Sequence, residues 1–192
     1  FDGIPSELDP AALRTATAGW RLDALADGAH ARTADLAPGM RWLPHAGDVV
    51  SSAPELARLT LNLAAAHRDR HTQSDGRRLV YGGHTIGLAA AQASAALPEL
   101  VTIVGWHCCD HLAPVYEGDT LRSELELERL ERLVDGAALG HLRARVYALA
   151  ERAPTQKEPA QDQPAQNQPA QDELTQDERV QVLDWRFVAV LA

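Results

Sequence analysis

Residues 79–97 read LVYGGHTIGLAAAQASAAL, and Pro98 follows them. From Ile86 onward the stretch is apolar nearly all round, the pattern of a helix buried in a core. Its side chains are small, so a sheet can wrap closely around it. Gly82 and Gly83 stand where the helix begins, and Pro98 closes it. The run from Ile86 to Leu97 is too short to span a bilayer and carries Gln92 and Ser94. What remains is to find the residues that cover this helix.

Downstream, the chain reads as strands. Val101 to Trp106 is β-branched and apolar. LRSELELERLERL, at 121–133, puts Leu121, Leu125 and Leu127 on one face and charges on the other, although the same residues would suit a helix. HLRARVYAL at 141–149 alternates, and VQVLDWRFVAVL at 180–191 also reads as a strand. Upstream, Asp48-Val49-Val50 is a short strand. Ser52-Ala53-Pro54-Glu55 fits a capping box with Pro in the first turn. Leu56, Leu59, Leu63 and Ala66 then recur at helical spacing and predict one amphipathic helix from about 53 to the mid-60s. Residues 68–78 are polar, with a turn signal at Asp75-Gly76. Asp9-Pro10 caps a short helix near the start. Residues 1–45, punctuated by Gly19, Gly28 and Gly39, read as a linker or cover segment ahead of a domain at 46–192. The order implies an α+β fold in which an antiparallel sheet wraps a buried central helix.

Between about 153 and 178 the chain holds PAQDQPAQNQPAQDE, a near-repeat of five residues with almost no large apolar side chain. Such a segment cannot offset the entropy of ordering, so a disordered hairpin excursion is expected.

Composition narrows the function. The chain has 192 residues, enough for one domain with a sizeable core. It is 45% hydrophobic but only 5% aromatic, so Ala, Leu and Val must supply most of that core. The net charge of -9 and the lack of a Lys/Arg run argue against nucleic acid as a partner. No stretch is long and apolar enough for a membrane span, and no signal peptide is visible. The chain starts at Phe1 rather than Met, which suits a processed chain or a portion of a longer protein. Its two cysteines, Cys108 and Cys109, are adjacent, so no disulfide framework is expected and a reducing, cytoplasmic location is the default.

The stretch GWHCCDH at 105–111 invites a metal reading. On a regular strand His107, Cys109 and His111 face one side, while Cys108 and Asp110 face the other. Zinc would need a fourth ligand from elsewhere, and no second ligand cluster supplies one. The cysteines read as small buried residues, and no metal or redox cofactor is expected. Asp110 or His111 stays a candidate for an active cleft.

Three segments resemble the MaoC-like acyl dehydratases, hot-dog proteins that include the (R)-specific enoyl-CoA hydratases. LTLNLAAAHRD at 59–69 resembles the D-x-N-P-[LIV]-H segment of that family. RRLVYGGHTIGLA at 77–89 resembles its V-H-G-x-x-T start of the central helix. HLAPVYEGDTLRSELEL at 111–127 resembles its F-x-x-P-V-x-x-G-D-T-L strand-turn-strand segment. The likeness covers about 45–150 and implies a hot-dog fold, with 105–111 in a central strand beside the helix. It implies a lyase that adds water to, or removes it from, 2-enoyl and 3-hydroxyacyl thioesters of CoA or acyl-carrier protein, as in fatty acid metabolism. Family members often carry two hot-dog units, as a dimer or in one long chain. The linker-like start suits the second half of such a double unit.

That chemistry needs a base for water, an acid for the α-carbon and donors for the enolate oxygen. Gly82 and Gly83 stand at a helix N-terminus, whose free N–H groups can meet a thioester carbonyl, and the resemblance matches Gly82 to the family's oxyanion glycine. It places Asn62 where the hydratases have Asp, and His67 at their His. Asn cannot accept a proton but can orient water, and His67 can serve alone as acid and base. On one unbroken helix Asn62 and His67 would point about 140° apart, so they converge only if the helix ends near Asn62. Tyr81 and His84 flank the glycines as candidate substrate contacts. Arg68 and Arg78, in a basic loop with Arg70 and Arg77, are candidates for a CoA phosphate. Two rival readings remain: a degenerate hot-dog half that binds acyl thioesters or supports a partner subunit, and a hot-dog thioesterase.

Overall fold

The computed structural model describes residues 8–21, 33–44, 46–133, 136–149 and 179–192. Its elements are α1 (Pro10–Thr17), β1 (Arg41–Trp42), β2 (Asp48–Val49), α2 (Ala53–Leu59), α3 (Ala65–Arg68) and α4 (Gly82–Ala96). Four long strands follow: β3 (Leu100–His111), β4 (Thr120–Arg132), β5 (Ala138–Leu149) and β6 (Arg179–Leu191). They form one antiparallel sheet in the order β1-β4-β5-β6-β3, with β2 also on β4.

One face of the sheet wraps α4. Leu125 and Leu127, Leu142, Ala144 and Val146, and Trp185 and Phe187 all pack in one core with Ala89 and Ala93 of the helix. Small residues on α4 let the aromatic pair stack beneath it, with ring centroids 4.1 Å apart. The opposite face is covered in part by α1. Leu13 packs there against Leu139, Val188 and Val190. Asp9 caps α1 by accepting from the Ala11 N–H at 2.9 Å, as its sequence predicts. Elsewhere that face is polar: Arg143 forks onto Asp184 at 2.8 and 2.5 Å and holds its carboxyl below the usual range.

Gln92 ties α4 to the sheet. Its amide donates to Asp48 at 2.6 Å and to the Leu121 carbonyl at 3.0 Å, and its carbonyl accepts from the Ser123 N–H at 2.8 Å. The polar interruption in the apolar run is thus a buried splice between helix, β2 and β4.

Several expectations need correction. The single helix from 53 to the mid-60s is two helices, broken at Thr60–Ala64. Leu61 takes a left-handed φ of 57°. The Asn62 N–H turns back to the Ala57 carbonyl at 2.9 Å and the Leu61 N–H to Arg58 at 3.3 Å, a closed helix end of the Schellman type. The buried stripe of α2 is Ala53 and Ala57, while Leu59 and Leu63 are exposed. The capping box does not form, because Ser52 is itself left-handed (φ 55°) and its side chain makes no cap. The Glu117 carboxylate accepts from the Ala53 N–H instead, at 3.1 Å.

Residues 121–132 settle as strand, with Leu121, Leu125 and Leu127 buried. The segment 105–111 lies in β3, which is an edge strand in this sheet rather than a central one. A register shift between Trp106 and Cys108 breaks its alternation. The bulge turns His107 to the outer face, where it meets His141 at 3.0 Å, while Cys109 packs on the helix side. Cys108 is exposed, not buried, and burial pushes the Cys109 thiol up to about 11. Among the described residues the central helix is covered on one flank: Gly87, Ala91, Ser94 and Ala95 are exposed. The Pro-Ala-Gln segment lies outside the described residues. Among those residues no helix is long and apolar enough to cross a membrane.

Candidate active site

The start of α4 is held by the segment at 115–119. The Val80 N–H donates to Val115 at 2.9 Å and the Glu117 N–H to Arg78 at 3.1 Å. Gly118 turns with φ 99°, and its N–H reaches Val50 at 2.8 Å. The Val50 N–H returns to Asp119 at 2.8 Å. Glu117 pairs with Arg78, and Asp119 with Arg77 at 2.7 Å. One turn therefore fixes the end of β2, the start of α2 and the lead into α4. This explains why Val115, Gly118 and Asp119 occur together in the third motif.

Against this frame sits His67, at the end of α3. Its Nδ1 lies 2.9 Å from the Leu79 carbonyl. A carbonyl only accepts, so Nδ1 carries the proton and Nε2 keeps its lone pair. The Tyr81 ring stands between two imidazoles, 6.3 Å from His67 and 6.5 Å from His84. His84 is 7% exposed, and burial lowers its pKa, favouring the neutral ring. Its Nδ1 has no hydrogen-bond partner among the described residues.

Gly82 and Gly83 open α4, where first-turn N–H groups have no acceptor within the helix. A Cβ on Gly82 would collide with the His111 ring, and one on Gly83 with the Tyr81 ring. At both positions an aromatic ring occupies the space a side chain would enter, so a larger residue requires that ring to move. The arrangement can seat a carbonyl oxygen at the helix start, with an imidazole base on the neighbouring loop.

Of the sequence-predicted residues, the structure brings His67, Tyr81, His84 and the two glycines together. Asn62 is half-buried on the turn after α2, and its side chain makes no hydrogen bond among the described residues. Arg78 is committed to Glu117, whereas Arg68 is exposed on α3 and makes no ion pair among the described residues. Sequence reasoning passed over Glu117, whose motif carried the signal. His111 was legible only as a cleft candidate, though it stands where the third motif has its aromatic residue. Among the described residues no group of three His, Cys, Asp or Glu is placed to hold a metal ion. A separate cavity of about 700 Å³ lies between β1–β2 and the far half of α4, lined by Trp42, Leu43, Pro44, Ala91, Gln92 and Ala95 among others. None of His67, Tyr81, Gly82, Gly83, His84 or His111 lines it. Nine residues separate Gly82 from Ala91, a rise of about 13 Å.

No family model matches the chain. It is 39% identical over 93 residues to a mesaconyl-CoA hydratase of Cereibacter sphaeroides, a match covering 48% of this chain and 26% of that protein. A solved Mycobacterium tuberculosis protein with a double hot-dog fold is 40% identical, with a TM-score of 0.65. That match covers 100% of this chain and 48% of the solved one. A MaoC domain dehydratase from Chloroflexus aurantiacus, named as putative in its description, is 25% identical with a TM-score of 0.62, covering 85% of this chain and 45% of that one. The matches thus span about a quarter to a half of these relatives' length.

Proposed function

We propose that this chain, a MaoC-like hot-dog unit, hydrates 2-enoyl thioesters of CoA or acyl-carrier protein, or dehydrates their 3-hydroxyacyl counterparts. The observation that carries the reading is the His67 Nδ1 bond to Leu79, which leaves Nε2 as a free base on the loop beside the start of α4. Nε2 takes a proton from water as the water oxygen bonds to the β-carbon. The electron pair of the double bond shifts toward the thioester, and the enolate oxygen rests on the Gly82 and Gly83 N–H groups. The imidazolium of His67 then returns the proton to the α-carbon, so one histidine closes the cycle. Asn62 orients the water through its amide without exchanging a proton. Tyr81 and His84 line the site, and Arg68 offers its charge to a CoA phosphate. Mesaconyl-CoA, named in a relative, is the first thioester to try.

A second hot-dog unit completes this reading, supplied by another copy or by a longer protein. Two observations support it. The chain covers 48% of a double hot-dog structure. The outer edge of β3 pairs with no strand among the described residues, and Val101, Trp106 and, just past its end, Leu112 are exposed.

The test is hydration of a panel of short, long, branched and dicarboxylic enoyl-CoAs. We expect turnover by the wild type and a fall of about 10²-fold or more in His67→Ala. Turnover that survives the substitution overturns the His67 assignment. Release of free thiol would mark a thioesterase, and silence from a folded sample would mark a binding half.

A further inference from the structure

His111 has no part in the reading above, and its placement gives it one. It is the last residue of β3, and its ring lies against the first residue of α4. A Cβ built on Gly82 would meet the ring at Nε2 first, at Cε1 next (2.7 Å) and at Cδ2 last (3.2 Å). Nε2 is therefore the vertex turned toward the helix start. The side chain is exposed, and among the described residues it makes no hydrogen bond or ion pair. A second imidazole without a hydrogen-bond partner among the described residues stands in the first turn of the same helix. His84 is more than nine-tenths buried, and its Nδ1 has no hydrogen-bond partner among the described residues. Buried polar atoms are rarely left so unless a ligand or water meets them. The resembling family segment, F-x-x-P-V, has Phe where this chain has His111. A phenyl ring would fill the space beside Gly82 equally well, but only the imidazole carries a donor.

We propose that the Nε2–H of His111 donates a third hydrogen bond to the thioester oxygen, beside the Gly82 and Gly83 N–H groups. The assignment rests on the hydratase reading. When water adds to the β-carbon, the electron pair of the carbon–carbon double bond moves onto the thioester and its oxygen gains charge. A donor fixed at that oxygen acts more strongly on the enolate than on the neutral carbonyl, so it accelerates the step instead of merely tightening binding. His111 transfers no proton. The proton still passes from water to His67 Nε2 and on to the α-carbon.

The experiment compares His111→Phe and His111→Gln with the wild type on an enoyl-CoA that the wild type hydrates, with thermal melts of each. Phe restores the family's ring without the donor, while Gln keeps an N–H donor that does not titrate. We expect Phe to lower kcat by about 10²-fold, with KM within about twofold, and Gln to recover to within about tenfold of wild type. Wild-type kcat in the Phe variant overturns the assignment. So does a Gln variant as slow as Phe when both melt like wild type. If the wild type hydrates nothing in the panel, the hydratase reading falls and this inference with it. That outcome appears before any variant is compared.

Discussion

Leu61 holds a backbone conformation that leucine rarely adopts, with φ at 57°. The left-handed region costs an L-residue roughly 1 kcal/mol because Cβ crowds the following carbonyl. That strain ends α2 and lifts Asn62 and His67 off a common helix, where 3.6 residues per turn would have splayed them apart. The sequence named both residues and stated the condition for their convergence. It could not show that the condition was met, because Leu carries no signal for a left-handed turn as Gly or Asn would. Replacing Leu61 by Gly keeps the turn and relieves the crowding. We expect Leu61→Gly to stabilise the fold by about 0.5–1 kcal/mol in a urea titration. The side chain itself is 77% exposed, so little burial is lost. His67 was equally legible as a residue type. Its tautomer was not, because the partner is a backbone carbonyl twelve positions away.

At the scale of the element, the central helix was readable from its small apolar residues, and the strands from their alternation. Their departures were not. The bulge at Trp106–Cys108 depends on how β3 meets β6, a long-range match that a local pattern does not contain. The same distance hid the role of Gln92, which looked like a blemish in an apolar run and proves to be the fixed point between α4 and β4. Gln92→Leu keeps the helix and roughly the volume but strands the Ser123 N–H and the Leu121 carbonyl without their partner. We expect it to cost about 2–3 kcal/mol, read from the urea midpoint, with far-UV circular dichroism unchanged. A loss below about 0.5 kcal/mol would show that β4 is held by its strand pairing alone.

For the whole molecule, the wrapping of an antiparallel sheet around one helix followed from the order of elements and the size of their side chains. Whether β3 is an inner or an outer strand did not, because a sheet that continues into a second unit leaves the same sequence pattern as one that stops. Among the described residues it stops, with a twelve-residue edge and exposed Val101 and Leu112 near its ends. An exposed, long, apolar edge invites pairing, and a lysine placed on it discourages pairing. We expect the isolated chain to self-associate in sedimentation experiments. The double variant Val101→Lys, Leu112→Lys should run as a monomer with an unaltered circular dichroism spectrum. Equal sedimentation of the two forms would remove β3 from the interface.

β5 and β6 stay paired to their ends, through one register shift between Val146 and Tyr147, with Leu149 opposite Arg179. The two residues that bracket positions 150–178 are thus paired neighbours, whatever chain joins them. Closing a longer connection between fixed ends costs only about 0.6 kcal/mol for each doubling of its length. The tip of this hairpin is therefore a place where sequence can be lengthened, trimmed or exchanged at little cost to the fold. A reporter or an affinity peptide spliced there would leave the pairing of β5 with β6 as it is.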